Sequence, residues 1–404
     1  MGSSPAPWLL LGLTALGWYV AAWNLMMLWV VRRRKLVAPV VWPSFSVLKP
    51  LAGFDDELEL NLASHLAIDY PGEWKLLVGV RSREDSAYPI ARAFADANPG
   101  RVELHLQEGE PGFNPKVNQL ITLTRYATGD VIAITDANVR VHSNILREHA
   151  SLIAAHGFAL STNLFCGSGE DSMGSALDNM TVNRYDAPSS STSEEMLDLS
   201  QIVGKSMAVK REVLIELGGW EPVKDFLAED QGFGRRVFKS GRKVRLCPTP
   251  VLNVQRSQPL SQYWGRHTRW AMIRWLVFPG QILEPLINPM PAALAFAIYS
   301  NSLFGWCVLG ATCAASIVIT QLSTRLLRGH GFALKWVPLI PLCDLVFLAM
   351  FIRAIFLRRV SWRGNEFEVS RLTAIRPVKK AAQAVTTNAS GTGGANQEVG
   401  VRPD

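Results

Sequence analysis

This sequence has no C-x-x-C pair. Its five cysteines, Cys166, Cys247, Cys307, Cys313 and Cys343, are scattered, and three lie in strongly apolar stretches. They read as buried thiols, and the chemistry needs no oxidising compartment. No G-x-G-x-x-G follows the first expected strand, and G-x-x-x-x-G-K-[ST] is missing altogether. An NAD enzyme and a P-loop ATPase are therefore disfavoured. A basic face is lacking too. Formal net charge is +7 over 404 residues, but up to Thr324 the 29 basic and 29 acidic residues cancel. The excess sits between 325 and 380, with eleven basic residues against three acidic. A nucleic-acid binder carries its charge on the folded domain, so no nucleic acid partner is expected. Charge flanking apolar segments fits a membrane surface better.

Long apolar runs are present. Residues 8–31 are almost wholly apolar and are followed at once by Arg32, Arg33, Arg34 and Lys35. As a helix this run spans about 36 Å, enough to cross a bilayer. Basic residues after the run, not before it, read as a membrane anchor and not a cleaved signal peptide. They place the next domain in the cytoplasm. A second apolar region covers 283–322, as one helix or as a pair broken near 301–305, and a third covers 336–357. Between 270 and 286, Trp270, Arg274, Trp275 and Phe278 alternate with apolar residues, the pattern of an interfacial helix. The tail after Lys380 has almost no large apolar residues and reads as disordered. The expected organisation is an anchor with basic flank (1–35), a cytosolic catalytic domain (44–260), an interfacial segment (261–282), a membrane region (283–357), and a cytosolic basic segment with disordered tail (358–404).

The catalytic stretch alternates strands and helices. Expected strands are 45–49, 74–80, 102–106 and 131–135, then 207–209, 244–246 and 251–254. Expected helices are 56–67, 87–97, 117–126 and 229–238. The fold class is α/β, and alternation of this kind predicts a parallel sheet with helices on both faces. Ligands then sit beyond the carboxyl ends of the strands, which singles out Lys49, the stretch 81–85 and Asp136.

Asp136 ends an apolar strand, with Asn138 two residues on. A carboxylate and an amide oxygen there suit Mg²⁺ or Mn²⁺ against a diphosphate, although a helix-capping aspartate looks the same in sequence. Asp85 is placed to reach a base or ribose. Lys116 lies near a helix start, where free backbone N–H groups and an ammonium meet phosphate, or where a lysine is simply solvated. Glu229-Asp230 opens a helix as ordinary capping residues do, yet in-line displacement by a hydroxyl also needs a carboxylate to take its proton. Arg266 and Arg269, three apart on one helical face, suit a departing diphosphate. Trp270 can wall an acceptor or anchor the chain at a membrane surface.

Taken in order, these stretches resemble the family-two glycosyltransferases, and within them the ceramide glucosyltransferases. The match rests on Lys49-Pro50-Leu51-x-Gly53, on Asp69-Tyr70-Pro71, and on the acidic stretch ending at Asp85. It continues through Asn114-Pro115-Lys116-Val117-Asn118, Thr135-Asp136-Ala137-Asn138, Glu229-Asp230 and Arg266-x-x-Arg269-Trp270, and less firmly to Trp362-Arg363-Gly364. The resemblance implies a GT-A domain between N- and C-terminal transmembrane helices. It further implies an integral membrane enzyme of a bacterial inner membrane that moves a hexose, with inversion, from a UDP-sugar to a lipid.

By that resemblance Asp230 is the catalytic base, with Arg266, Arg269 and Trp270 catalytic. Lys49, Asp85, Lys116 and Asp136 contact the nucleotide, and Asp136 with Asn138 holds Mg²⁺ or Mn²⁺. Glucose and ceramide are the implied substrates. N-acetylglucosamine or galactose donors, and hopanoid or diacylglycerol acceptors, stay open. A polysaccharide synthase would need more membrane segments for a channel, and an inactive scaffold would not retain these residues. The chain departs from the pattern at Asn138, at 181–200, where Asn183-Arg184-Tyr185 and then an expected Ser/Thr-rich loop stand without a His-Pro-Arg-Tyr-type segment, and at Lys205-Ser206-Met207, which replaces a Gly-Met-Ser-type run.

Overall fold

A computed structural model describes residues 5–198, 201–362 and 365–378. The expected disordered tail, and Arg363-Gly364 of the last motif, lie outside the described residues.

Eight strands form one sheet: β1 (Phe45–Pro50), β2 (Trp74–Val80), β3 (Val102–Leu106), β4 (Val131–Thr135), β5 (Val139–Arg140), β6 (Leu160–Ser168), β7 (Ser206–Lys210) and β8 (Val244–Val254), in the order β3-β2-β1-β4-β7-β6-β8-β5. The first four pair in parallel, with helices Leu58–Leu66, Tyr88–Ala97 and Pro115–Tyr126 between them. Their side chains alternate between two cores. Val47, Val78 and Ala133 enter one cluster, while Leu48, Leu77 and Ile134 enter the other. Both faces are thus covered, which is why these strands read as continuous apolar runs.

The second half departs from the parallel expectation. β7 runs antiparallel to both β4 and β6, and β5 runs antiparallel to β8. The two short strands expected at 244–246 and 251–254 are one strand. Pro248 and Pro250 fall where the β6–β8 register shifts, so their missing N–H groups cost no ladder bond. The expected Ser/Thr-rich loop at 181–200 is helical through Leu197, as Met173–Thr181, a wider turn Val182–Asp186, and Ala187–Leu197.

Among the described residues, three helices are long and apolar enough to cross a membrane: Ala6–Arg32, Leu303–Arg328 and Leu334–Phe356. A bent pair, Pro279–Ile287 with Pro289–Ser300, makes a further candidate. The region 283–322 is therefore broken, and Asn301 makes the break with a left-handed φ of 41°. The first helix lies tight against the bent pair: a Cβ at Gly17 would come within 2.6 Å of Pro289 N. Inside the bundle, Asp344 pairs with Arg184 Nε at 2.8 Å and accepts from Ser316 Oγ at 2.9 Å. A charge in apolar surroundings needs such partners, and here they lock the 182–186 turn to the membrane helices.

Helix Leu260–Val277 takes up most of the expected interfacial segment, with Trp270, Arg274 and Trp275 on it, and the exposed apolar residues Phe278, Leu283 and Leu286 follow it. Beyond the last membrane helix, the described part of the basic segment forms a three-stranded antiparallel sheet: β9 (Arg359–Trp362), β10 (Asn365–Val369) and β11 (Ile375–Pro377). It grips the catalytic domain. Leu227 N donates to Thr373 O at 2.8 Å and Ile375 N to Asp225 O at 2.8 Å.

Candidate active site

A cavity of about 450 Å³ opens beyond the carboxyl ends of β1 and β4, lined in part by Lys116, Asp136, Asn138, Asp230, Arg269 and Trp270. The topology explains the gathering. β1 and β4 deliver Pro50 and Asp136 to the same edge. Because β7 is antiparallel to β4, its leading residues Gly204 and Lys205 arrive beside Asp136, whose N–H donates to Lys205 O at 3.1 Å.

Lys116 is the hub. Asn114 caps its helix, accepting from Lys116 N and Val117 N. The Lys116 ammonium lies 2.7 Å from Asp136 Oδ1 and 2.8 Å from Glu229 Oε1, and donates to Gly204 O at 3.1 Å. Burial opposes its charge, but Asp136, Glu229 and Asp230 outweigh burial and raise its pKa. Burial likewise opposes charge on Asp136, and Lys116 with Lys205 overcomes it, so this carboxyl sits below the ordinary range.

Asp230 stands in the first turn of helix Glu229–Lys239. Its Oδ2 accepts from Gly204 N at 2.6 Å and its Oδ1 from Gln231 N at 2.7 Å. A side chain at 204 would not fit, since a Cβ there would meet Oδ2 at 2.7 Å. Burial first, and the neighbouring charge of Glu229 second, push Asp230 up to about 6. A carboxylate so tuned is poised to take a proton near neutral pH.

The helix Leu260–Val277 supplies Arg266, Arg269 and Trp270. The Arg266 guanidinium lies 4.4 Å from the Trp270 ring centre and 3.2 Å from Asp178 Oδ2. Asp178 also accepts from His267 Nε2 at 2.8 Å. It is fully buried, and although burial opposes its charge, Arg266 and His267 hold it ionised. Trp270 packs edge-on against Phe165, so this ring faces the protein interior and the cavity.

Two expected nucleotide contacts sit differently. Lys49 is fully buried beneath the floor, donating to Asp136 O at 2.8 Å and Val139 O at 3.2 Å. It shapes the turn that carries Asp136 and Asn138. Burial lowers its pKa to about 7, against the pull of Asp136 and Asp55. Asp85 lies outside the cavity lining. Its Oδ1 accepts from Gly53 N and Ala87 N, both at 2.9 Å, tying the loop after β1 to the start of helix Tyr88–Ala97.

The metal question turns on Lys205. Its ammonium lies 3.0 Å from Asp136 Oδ2 and donates to Asn138 Oδ1 at 2.9 Å. Among the described residues, no group of three or more His, Cys, Asp or Glu side chains is placed to hold an ion. Carboxylate and amide oxygens do suit a hard cation that draws its remaining ligands from phosphate and water. Both oxygens are engaged by Lys205 in this structure, so an ion there would have to take that ammonium's place.

A profile of glycosyl transferase family 21 matches residues 9–375. The chain belongs to glycosyl transferase family 21. This family 21 enzyme is 27% identical over 354 residues to ceramide glucosyltransferase 3 of Caenorhabditis elegans, covering 83% of the chain and 75% of that relative. It is 26% identical over 359 residues to ceramide glucosyltransferase 1 of the same nematode, covering 85% and 76%. A solved structure of the mannosyltransferase PcManGT from Pyrobaculum calidifontis, in complex with GDP-Man and Mn²⁺, is similar at TM-score 0.49 and 18% identity, over 87% of this chain and 99% of that one. The architecture is the GT-A type: a half-parallel, half-mixed sheet between long apolar helices.

Sequence reasoning missed two residues of the candidate site. Lys205 was visible only as a departure from a motif. Asp178 lies in no motif, and its one signal is an acid within the otherwise uncharged helix Met173–Thr181.

Proposed function

We propose that the enzyme transfers glucose from UDP-glucose to ceramide by a single in-line displacement with inversion. The observation that carries this reading is the Asp230 carboxylate, held by two backbone N–H groups in a cavity where Lys116, Lys205, Arg266 and Arg269 converge. Asp230 takes the proton of the acceptor hydroxyl. That oxygen forms a bond to the anomeric carbon from the face opposite the nucleotide, while the bond to the β-phosphate oxygen breaks and its electrons leave with UDP. Charge growing on the diphosphate is met by Arg266, Arg269 and the two lysines, in surroundings where such contacts are strong.

Asp136 and Asn138 would hold Mg²⁺ or Mn²⁺ in place of Lys205, and the ion would add positive charge at the diphosphate. Asp85 and Lys49 keep the nucleotide-side loops in position. The basic run Arg32 to Lys35, at the end of the first membrane helix, supports a catalytic domain on the cytoplasmic side. The names of the curated relatives support glucose and ceramide.

The test uses purified full-length protein with UDP-glucose, Mg²⁺ or Mn²⁺, and ceramide, read by mass spectrometry. Hexosylceramide from the wild type and none from Asp230→Asn, with UDP-glucose still bound, is the expected result. Equal product from the variant would remove the base assignment. UDP release with no hexosylated lipid would remove the acceptor.

A further inference from the structure

The loop 224–228 leads into the helix that presents Asp230, and it is held from two sides. On one side stands the start of the Lys116 helix. Asn114 N donates to Lys224 O at 2.8 Å, and Asn114 Nδ2 donates to Phe226 O at 2.8 Å and Glu229 Oε2 at 3.2 Å. On the other side stands the turn 370–374, between β10 and β11. Leu227 N donates to Thr373 O at 2.8 Å and Ala228 N to Thr373 Oγ1 at 3.3 Å, so one residue satisfies two consecutive N–H groups. Phe226 and Ala374 pair beside them as an antiparallel bridge.

Thr373 is fully buried and sits at φ 68°, directly after Leu372 at φ 58°. Two successive left-handed residues without a glycine are uncommon, and a β-branched one is costly. Such backbone persists only where its surroundings hold it, and it gathers where geometry serves function. Here the turn is closed by Ser370 N to Ala374 O at 2.8 Å and by Thr373 N to Ser370 O at 3.1 Å. The small sheet behind it is anchored in the membrane part. Val360, Phe367, Val369 and Ile375 share an apolar cluster with Phe347 and Phe351 of the last membrane helix, and Leu227 of the loop joins that cluster.

We propose that Thr373 is a positioning residue for the catalytic base: it fixes the loop 224–228, and through it the first turn that aims Asp230 into the cavity. The inference rests on the transferase reading above. Ala228 has no side-chain oxygen to cap the helix after it, and it is buried at the cavity wall. Without the Thr373 hydroxyl its N–H would be left without an acceptor, and the loop would shift toward water. The first turn moves with the loop, and Asp230 then loses its fit to Gly204 N. Lys116 and Lys205 stand on other elements and keep their places, so the nucleotide side is spared.

The test compares full-length Thr373→Val, Thr373→Ala and Thr373→Ser in nanodiscs, with UDP-glucose and ceramide. Valine and alanine remove the hydroxyl; serine keeps it. In the first two, kcat should fall about five- to tenfold, the value of one such hydrogen bond, with the UDP-glucose KM unmoved. Serine should restore kcat. Amide exchange at 225–231 should quicken in the valine and alanine variants and stay slow with serine. Melting temperatures report which variants are folded, and alanine stands in if valine is not. An unchanged kcat in a folded variant lacking the hydroxyl, or an equal fall with serine, overturns the proposal. If the wild type makes no hexosylceramide, the transferase reading fails instead, and exchange decides alone: equal rates at 225–231 in all four proteins overturn the proposal, and quickening confined to valine and alanine upholds the hold on the loop.

Discussion

Lys205→Met tests whether the lysine ammonium and the proposed metal ion compete for Asp136. In the wild type the Lys205 ammonium holds Asp136 Oδ2 at 3.0 Å and Asn138 Oδ1 at 2.9 Å, the two oxygens an ion would need. Hydrogen bonds to charged groups contribute about 1.5–3 kcal/mol. The Asp136 side chain keeps 22% exposure, so solvent screening favours the lower end. An ion that no longer has to displace this contact should bind about tenfold more tightly, since about 1.4 kcal/mol is a factor of ten. The same change removes a positive charge from the diphosphate site. UDP binding without metal should therefore weaken by a similar factor. Asp136 retains Lys116 at 2.7 Å, so the fold should survive with a melting temperature lower by a few degrees. Calorimetric titration of UDP with and without Mn²⁺, together with Mn²⁺ spin resonance, reads both constants. An unchanged Mn²⁺ affinity in the variant would refute competition between Lys205 and the ion.

Two further perturbations address the proton and the arginine. With Asp230 raised to about 6, kcat/KM should fall tenfold per pH unit below that value, because only the ionised carboxylate accepts the proton. The same group binds its proton more tightly in the folded state, so its contribution to stability is complete below about pH 4 and is lost as pH rises through about 6. Thermal melts of Asp230→Asn should lack that loss, and an identical pH dependence in both proteins would contradict the assignment. Asp178→Asn breaks a buried carboxylate contact to Arg266 and His267, a loss of about 3–5 kcal/mol for pairs of this kind. It should lower the melting temperature and reduce kcat at least tenfold as Arg266 loses its placement; a lower melting temperature with kcat intact would make Asp178 structural only.

Much of the first half was legible because local pattern and final environment agree there. β1, β2 and β4 are buried on both faces, so their apolar runs announce them, and Asn114-Pro115 marks a helix start that its capping bonds realise. Lys116, Asp136 and Asp230, which line one cavity, stood out in the sequence because each follows a strand or opens a helix. β6 was not. Its Ser161, Thr162 and Asn163 are fully buried yet satisfied, Asn163 accepting from Ser206 Oγ at 2.8 Å and donating to Thr249 O at 3.0 Å. Polar residues that find partners only across strands look like loop in one dimension. The serines of Ala187–Leu197 misled for the same reason: Ser191 bonds back to Ala187 O and sits buried.

By itself the sequence determined the α/β domain, the long apolar helices and the order of the reactive residues, since each depends on composition and spacing within a few turns of chain. Only the tertiary structure decided which side chains meet. An antiparallel β7 brought Lys205 onto Asp136, a helix between strands put Asp178 under Arg266, and a small sheet after the membrane helices clamped the loop leading to Asp230. Those contacts join residues 69 to 150 positions apart. At such separations the partner is chosen by strand direction and packing, which no local pattern records.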